Sequence, residues 1–298
     1  MARDWEATFA SWTGAEGTVE EGKVQQTLAR VKSALSKSAA LSAINTDVYA
    51  KGSYRNRTNV VRDSDIDVSV ELLVIEHHEF AHQAAGMTIA DFGLTPYSGS
   101  YQWQSFKDHV EQALVAEFGS ALVERGNKAI LVRPTSSTLP CDVVPCETAV
   151  QHISPTVSRR GVRITPDRGA AIVNYPKQHL EEGLAKNAAT LKRYKRSVRI
   201  LKRLENEMVA NKVIEVVPSF LIESLVWNCN NITFANSGSW TGTIRSVIAT
   251  AYQATESDEA AKDELEANNI KYLFHPAQKW TRVQASQFLV AAWNYVGF

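Results

Sequence analysis

Apolar and polar residues alternate most regularly from Asp65 to Leu73, with Ile66, Val68, Val70 and Leu72 on one side and Asp65 and Asp67 on the other. A period of two is that of a strand with one buried face. Shorter runs predict further strands at Asp47 to Ala50, Ala129 to Val132 and Pro140 to Glu147. Arg163 to Thr165 and Ala171 to Val173 flank Pro166-Asp167-Arg168-Gly169, a turn suited to a hairpin. The period lengthens elsewhere. Val24, Leu28, Val31 and Leu35 recur at helical spacing within Glu20 to Ser42, and a second helix is expected from Gln102 to Phe118. The stretch from His77 to Ser100, punctuated by Gly86, Gly93 and Pro96, reads as a polar excursion. From Lys177 onward the pattern is helical, with Leu191, Tyr194, Val198, Leu201 and Met208 on one side of a helix spanning Ala188 to Met208.

This order of elements predicts an α+β protein. Residues 1–180 would form a core of mixed or antiparallel sheet with a long N-terminal helix, and residues 181–298 a C-terminal helical lobe. The 298-residue chain is long enough to bury a large core, and its 32 basic and 32 acidic residues cancel. Without a global positive field it lacks the usual mark of a binder of long nucleic acid. Three cysteines are too few and too irregular for a disulfide framework, and no apolar run reaches the length of a membrane span. The opening Met-Ala-Arg-Asp-Trp has no signal-peptide pattern, so a soluble cytoplasmic protein is expected.

The candidate chemistry lies in the acids. In a strand Asp65 and Asp67 share a face, roughly 7 Å apart along the chain. Asp142 lies in a later apolar strand, and Gly52-Ser53 follows the short strand twelve residues ahead of Asp65. Phosphoryl transfer by two Mg²⁺ or Mn²⁺ ions about 3.5–4 Å apart needs such a set, because hard cations take one or two carboxylates plus substrate oxygens. Asp65 and Asp67 would bridge both ions. Asp142 would complete the site of the attacking hydroxyl and could take its proton. Gly52 would let the backbone approach a phosphate, with Ser53 and nearby N–H groups donating to its oxygens.

Other features have two readings. The basic stripe Lys192, Lys195, Arg199 and Lys202 reads first as a solvated helix face and second as a cradle for triphosphate oxygens. Asn174 either caps the turn into Tyr175-Pro176 or reads a base edge with its amide. Tyr54 and Tyr175 either stack on bases or pack in the core. His77, His78 and His82 lack the further ligands of a structural metal site, although the last two are four apart. Cys141 and Cys146, on opposite strand faces, read as buried thiols, and Trp227, Trp240 and Trp280 as helical-core residues.

Lys51-Gly52-Ser53-Tyr54-Arg55-Asn56-Arg57-Thr58, followed by Asp63-Ser64-Asp65-Ile66-Asp67-Val68, resembles the signature of polymerase-β-like nucleotidyltransferases. It is most similar to that of the bacterial cGAS/DncV-like nucleotidyltransferases (CD-NTases). The resemblance continues through Asn174 to His179, Lys186-Asn187, Arg199 to Leu204 and Pro218 to Glu223, covering roughly residues 20–230. It implies the polymerase-β-like core, Mg²⁺-dependent use of nucleoside triphosphates, and a cyclic dinucleotide or trinucleotide product. It also implies an antiphage (CBASS-type) role, with a downstream effector that the cyclic nucleotide activates. By the same resemblance Lys202 and Ser219 contact the donor triphosphate. The compact length resembles clade E (CdnE-type) members, which favour pyrimidines. That implies cyclic UMP-AMP or cyclic di-UMP, with Asn174 selecting the base.

The same carboxylates would serve a nucleotidyltransferase whose acceptor is an RNA 3′ end, a small molecule or a protein hydroxyl. A nucleotide-binding regulator on this fold would be expected to have lost an Asp or the serine, and this chain retains them all.

Overall fold

The computed structural model describes residues 3–14, 18–60, 65–235 and 238–298. The chain falls into two compact units. One comprises Gly17–Arg55 and Val61–Pro176, the other Met1–Glu16, Asn56–Val60 and Lys177–Phe298. The expected division into 1–180 and 181–298 drew a single cut, whereas the helical unit also takes in chain from near the N-terminus and a short piece ahead of the Asp65 strand.

The first elements are helix α1 (Trp5–Trp12), helix α2 (Thr18–Lys37), strand β1 (Thr46–Lys51) and the one-turn helix α3 (Gly52–Asn56). Strand β2 (Ile66–Phe80), helix α4 (Phe106–Phe118), β3 (Val123–Arg125), β4 (Ile130–Val132), β5 (Cys141–Ser154), β6 (Val157–Ile164) and β7 (Ile172–Asn174) complete the sheet unit. Five strands run in the order β1-β2-β5-β4-β3, and β6 joins the far half of β5 and carries β7. Among the described residues only the β2–β5 pair is parallel, so the sheet is mixed.

One sheet face is apolar because alternate residues of the long strands are. Ile66, Val68, Val70 and Leu72 join Cys141, Val143 and Ile130 in a core closed by Val31 and Leu35 of α2 and Val110 and Leu114 of α4. The four apolar positions expected on α2 all pack here, Val24 and Leu28 from its edge. Tyr54, half-buried, packs against the same core.

Two strands outrun their expected ends. β2 continues to Phe80 because Glu76–Phe80 pair with Thr148–His152 of β5 after a register shift, although Glu76-His77-His78-Glu79 carries no apolar alternation. β5 is likewise prolonged to Ser154 by β6. His77 and His78 therefore lie on β2 and not on a helix with His82. His78 Nδ1 meets His152 Nε2 at 3.0 Å, His77 packs edge-on to Trp103, and His82 opens a short 3₁₀ turn.

The helical unit contains α1, α5 (Pro176–Ala189), α6 (Arg193–Ala210), α7 (Ser219–Asn228), α8 (Trp240–Thr255), α9 (Asp258–Ala261) and α10 (Arg282–Val296). The single helix expected from Ala188 to Met208 is broken, since Leu191 and Lys192 have left-handed backbone (φ 50° and 66°) and Leu191 is exposed. Beyond the break Tyr194, Val198, Leu201, Leu204 and Met208 are buried together, and Trp227, Trp240 and Trp280 pack around that core. Among the described residues no helix is long and apolar enough to cross a membrane.

Glu147 stands on the core face of β5, paired with Leu72 of β2 and Arg163 of β6. Burial pushes its carboxyl up from the ordinary 4.5 to about 7, against the opposing pull of Arg163 (3.7 Å) and the Thr165 hydroxyl (3.2 Å). The folded chain thus binds a proton that the unfolded chain has lost between these values. Its stabilising contribution is complete below 4.5 and is lost as pH rises through about 7. Wild-type protein should lose about 2–3 kcal/mol from this group between pH 5 and 7.5, and Glu147→Gln should remove that part of the slope in urea unfolding.

Candidate active site

The three predicted aspartates come together at one end of the sheet. β2 and β5 start side by side, tied by a 2.9 Å bond from the Ile66 amide to the Pro140 carbonyl. Their parallel register sets Asp67 opposite Asp142, and the antiparallel β1 sets Lys51 opposite Asp67. Lys51, Asp67 and Asp142 therefore form one transverse row, on the face turned away from the apolar core. Asp65 is exposed at the residue before β2, while Asp67 and Asp142 are half-buried. Asp63 and Ser64 of the sequence signature lie outside the described residues.

The electrostatics follow from this row. Burial raises the carboxyls of Asp67 and Asp142 above the ordinary carboxylate range, and the negative charge of Asp65 raises both further. Asp142 adds to the effect on Asp67, and the Lys51 ammonium opposes it at both. Three like charges held this way call for a cation. Among the described residues no three His, Cys, Asp or Glu side chains close into a metal-binding group by themselves. What the aspartates offer is an all-oxygen donor set, and Mg²⁺ asks for one or two carboxylates plus substrate oxygens, so the residues fit that ion.

Gly52 is required beside them for two reasons. Its φ of +66° lies in the left-handed region, and a Cβ there would stand 2.4 Å from Asp67 Oδ2. Ser53 is the second residue of α3, half-buried, and joined directly to Gly52. Lys51 was not anticipated as a site residue. The available signal was its place at the strand end immediately before Gly52, where β1 meets the Asp67 position.

The remaining predicted residues lie elsewhere. Asn174 ends β7, half-buried and opposite Val162 of β6. Tyr175 is buried, with its hydroxyl 3.5 Å from Gln151 Oε1. In the helical unit Ser219 is exposed at the first position of α7. The basic stripe on α6 is not a solvated face, for Lys195, Arg199 and Lys202 are all buried and only Lys192 is exposed. Lys202 Nζ lies 3.4 Å from Glu223 Oε2, one helical turn past Ser219. Glu223 also accepts from Thr58 Oγ1 and from His179, each at 2.8 Å, and Asn56 reaches the same imidazole at 2.9 Å. Lys202 and its neighbours hold the Glu223 carboxyl well below its usual range against a strong burial cost. The guanidinium of Arg199 donates to the carbonyls of Thr13 and Arg57. Burial needs such partners, which pattern alone does not display.

A mixed sheet bearing paired carboxylates at its strand starts, with a separate C-terminal helical unit, defines a nucleotidyltransferase of the polymerase-β-like fold. The family model for the cGAS/DncV-like nucleotidyltransferase C-terminal helical domain matches residues 181–297. A cyclic dipyrimidine nucleotide synthase CdnE from Cecembia lonarensis is 33% identical over 100% of both chains. The CdnE cyclic dinucleotide synthase of Elizabethkingia meningoseptica, solved with GTP and Apcpp, superposes with a TM-score of 0.81 at 30% identity, over 99% of this chain and 100% of its own. The CdnE c-UMP-AMP synthase of Rhodothermus marinus, solved with Apcpp and Upnpp, gives 0.83 at 27% identity, over 99% and 98%. The chain belongs to the cGAS/DncV-like nucleotidyltransferase family and groups with its CdnE cyclic nucleotide synthases.

Gly52→Ala should cost about 1–2 kcal/mol in backbone strain. By displacing Asp67 it should lower nucleotidyl transfer at least about tenfold. Thermal unfolding and a rate assay on the same preparation check both parts.

Proposed function

We propose that this chain joins two nucleoside triphosphates without a template, releasing pyrophosphate at each bond, first to a linear intermediate and then to a cyclic dinucleotide. The observation that carries the reading is the in-register row of Asp67 and Asp142, with Asp65 at the same sheet end and Gly52 leaving room beside Asp67. Bound Mg²⁺ ions would neutralise phosphate charge and acidify the attacking hydroxyl. Asp65 and Asp67 would hold those ions, with Asp142 completing one of the two sites. The Asp142 carboxylate, in register with Asp67, completes the site of the attacking hydroxyl and takes its proton. Gly52 brings backbone close to a phosphate and Ser53 donates to its oxygens. The exposed Ser219 hydroxyl is the donor-triphosphate group of the helical unit, while Lys202 acts through Glu223, whose charge it balances.

The product is proposed to contain a pyrimidine, as cyclic UMP-AMP or cyclic di-UMP, with the Asn174 amide reading the base. Support comes from the cyclic dipyrimidine and c-UMP-AMP synthases among the relatives above. In the cell the product would signal to an effector in antiphage defence, a role that rests on the family resemblance.

Incubation with α-labelled NTPs and Mg²⁺, then phosphatase and mass spectrometry, should yield a resistant cyclic product with uracil. Asp67→Asn should cut its formation by at least about a hundredfold with unchanged circular dichroism. Label passing instead to RNA or protein would favour the other acceptors, and full activity of Asp67→Asn would remove the carboxylate assignment.

A further inference from the structure

The end of β7 is seated by a glycine. A Cβ on Gly161 would stand 2.7 Å from the Asn174 carbonyl oxygen and 2.8 Å from Cδ1 and Cε1 of the Tyr175 ring. Gly161 does not have left-handed backbone, so conformational freedom does not call for glycine there. Close approach does, because an aromatic ring and a backbone carbonyl both lie on the space a side chain would fill.

The register explains the arrangement. Val162 pairs with Asn174, the last residue of β7, and the chain leaves the ladder with the Tyr175 ring beside Gly161. Alternation then divides the residues between the two faces. Gly161 pairs with Ala149, and the Tyr175 hydroxyl points to Gln151, all on one face. Asn174 falls on the other face with Val162, which pairs with Thr148 and packs with Val144 and Cys146. Stepping back along β5 through Cys146 and Val144 reaches Asp142 on that same face.

We propose that Gly161 and Tyr175 are a positioning pair for base selection: the ring packed on Gly161 locks the end of β7, so that Asn174 presents its amide on the sheet face that carries Asp142. The proposal rests on the reading of Asn174 as the base-selecting residue. Neither member of the pair touches the nucleotide, and their effect passes through the backbone of residue 174. An aromatic side chain laid across a cross-strand glycine is a recognised way of fixing a strand. The rigid ring supplies stiffness that a branched aliphatic chain would not.

The test uses full-length protein, an equimolar mixture of ATP, GTP, CTP and UTP, and mass spectrometry of the phosphatase-resistant product. Asn174→Ala sets the scale by changing the base composition. Gly161→Ala should change it in the same direction and shift the UTP-to-ATP ratio of kcat/KM by about tenfold. Tyr175→Leu should do likewise, whereas Tyr175→Phe, which keeps the ring, retains the wild-type composition. If Gly161→Ala does not fold, the contrast between Tyr175→Leu and Tyr175→Phe carries the test. Wild-type composition in folded Gly161→Ala or Tyr175→Leu, with Asn174→Ala altered, overturns the positioning pair and leaves the reading of Asn174 standing. Unchanged composition in Asn174→Ala overturns that reading and the pair with it.

Discussion

The parallel pairing of β2 with β5 sets Asp67 directly beside Asp142, and everything proposed for the active site depends on it. Two carboxylates in register, half withdrawn from water and joined by Asp65 at the strand start, repel one another. No fold gains stability from such a row, and a partial answer in this chain is Lys51 on the neighbouring strand. The opposite face supplies the compensation through continuous apolar packing against α2 and α4. A one-residue slip of β2 would turn Ile66 and Val68 outward and bury the acids, so the register that builds the core also builds the charged row.

Much of this was legible in the sequence because period two is a strong signal where one face is buried. The alternation from Asp65 to Leu73 gave the first half of β2 and its apolar face, with Asp67 on the other. Pattern could not give the neighbour, since the partner of Asp67 is set by a parallel pairing across more than seventy residues of chain. Lys51 escaped notice for the same reason. The far ends of β2 and β5 were missed because His77–Phe80 and Gln151–Ser154 are held by ladder bonds on their partners, whatever the side chains.

The helical unit shows the converse. Its apolar positions on α6 were readable from Tyr194 to Met208, yet the fate of the basic positions was not. Lys202 and Arg199 look like surface residues by composition, but each is buried with a partner distant in sequence: Glu223 for Lys202, and the Thr13 and Arg57 carbonyls for Arg199. Glu223 gathers Thr58, His179 and Lys202, so the short 56–60 segment is held by charge-assisted bonds inside this unit. A buried carboxylate with that many donors is costly to leave unpaired, which makes Lys202 its structural counter-ion.

The central claim is that Asp65, Asp67 and Asp142 share bound metal at the point of phosphoryl transfer. The most direct measurement is anomalous diffraction from crystals grown with Mn²⁺ and a non-hydrolysable triphosphate analogue. The account predicts anomalous peaks within about 2.0–2.3 Å of carboxylate oxygens of Asp65 and Asp67, with Asp142 completing one of them. A nucleotide bound with its metal coordinated by other residues, and these three carboxylates left to solvent, would contradict it.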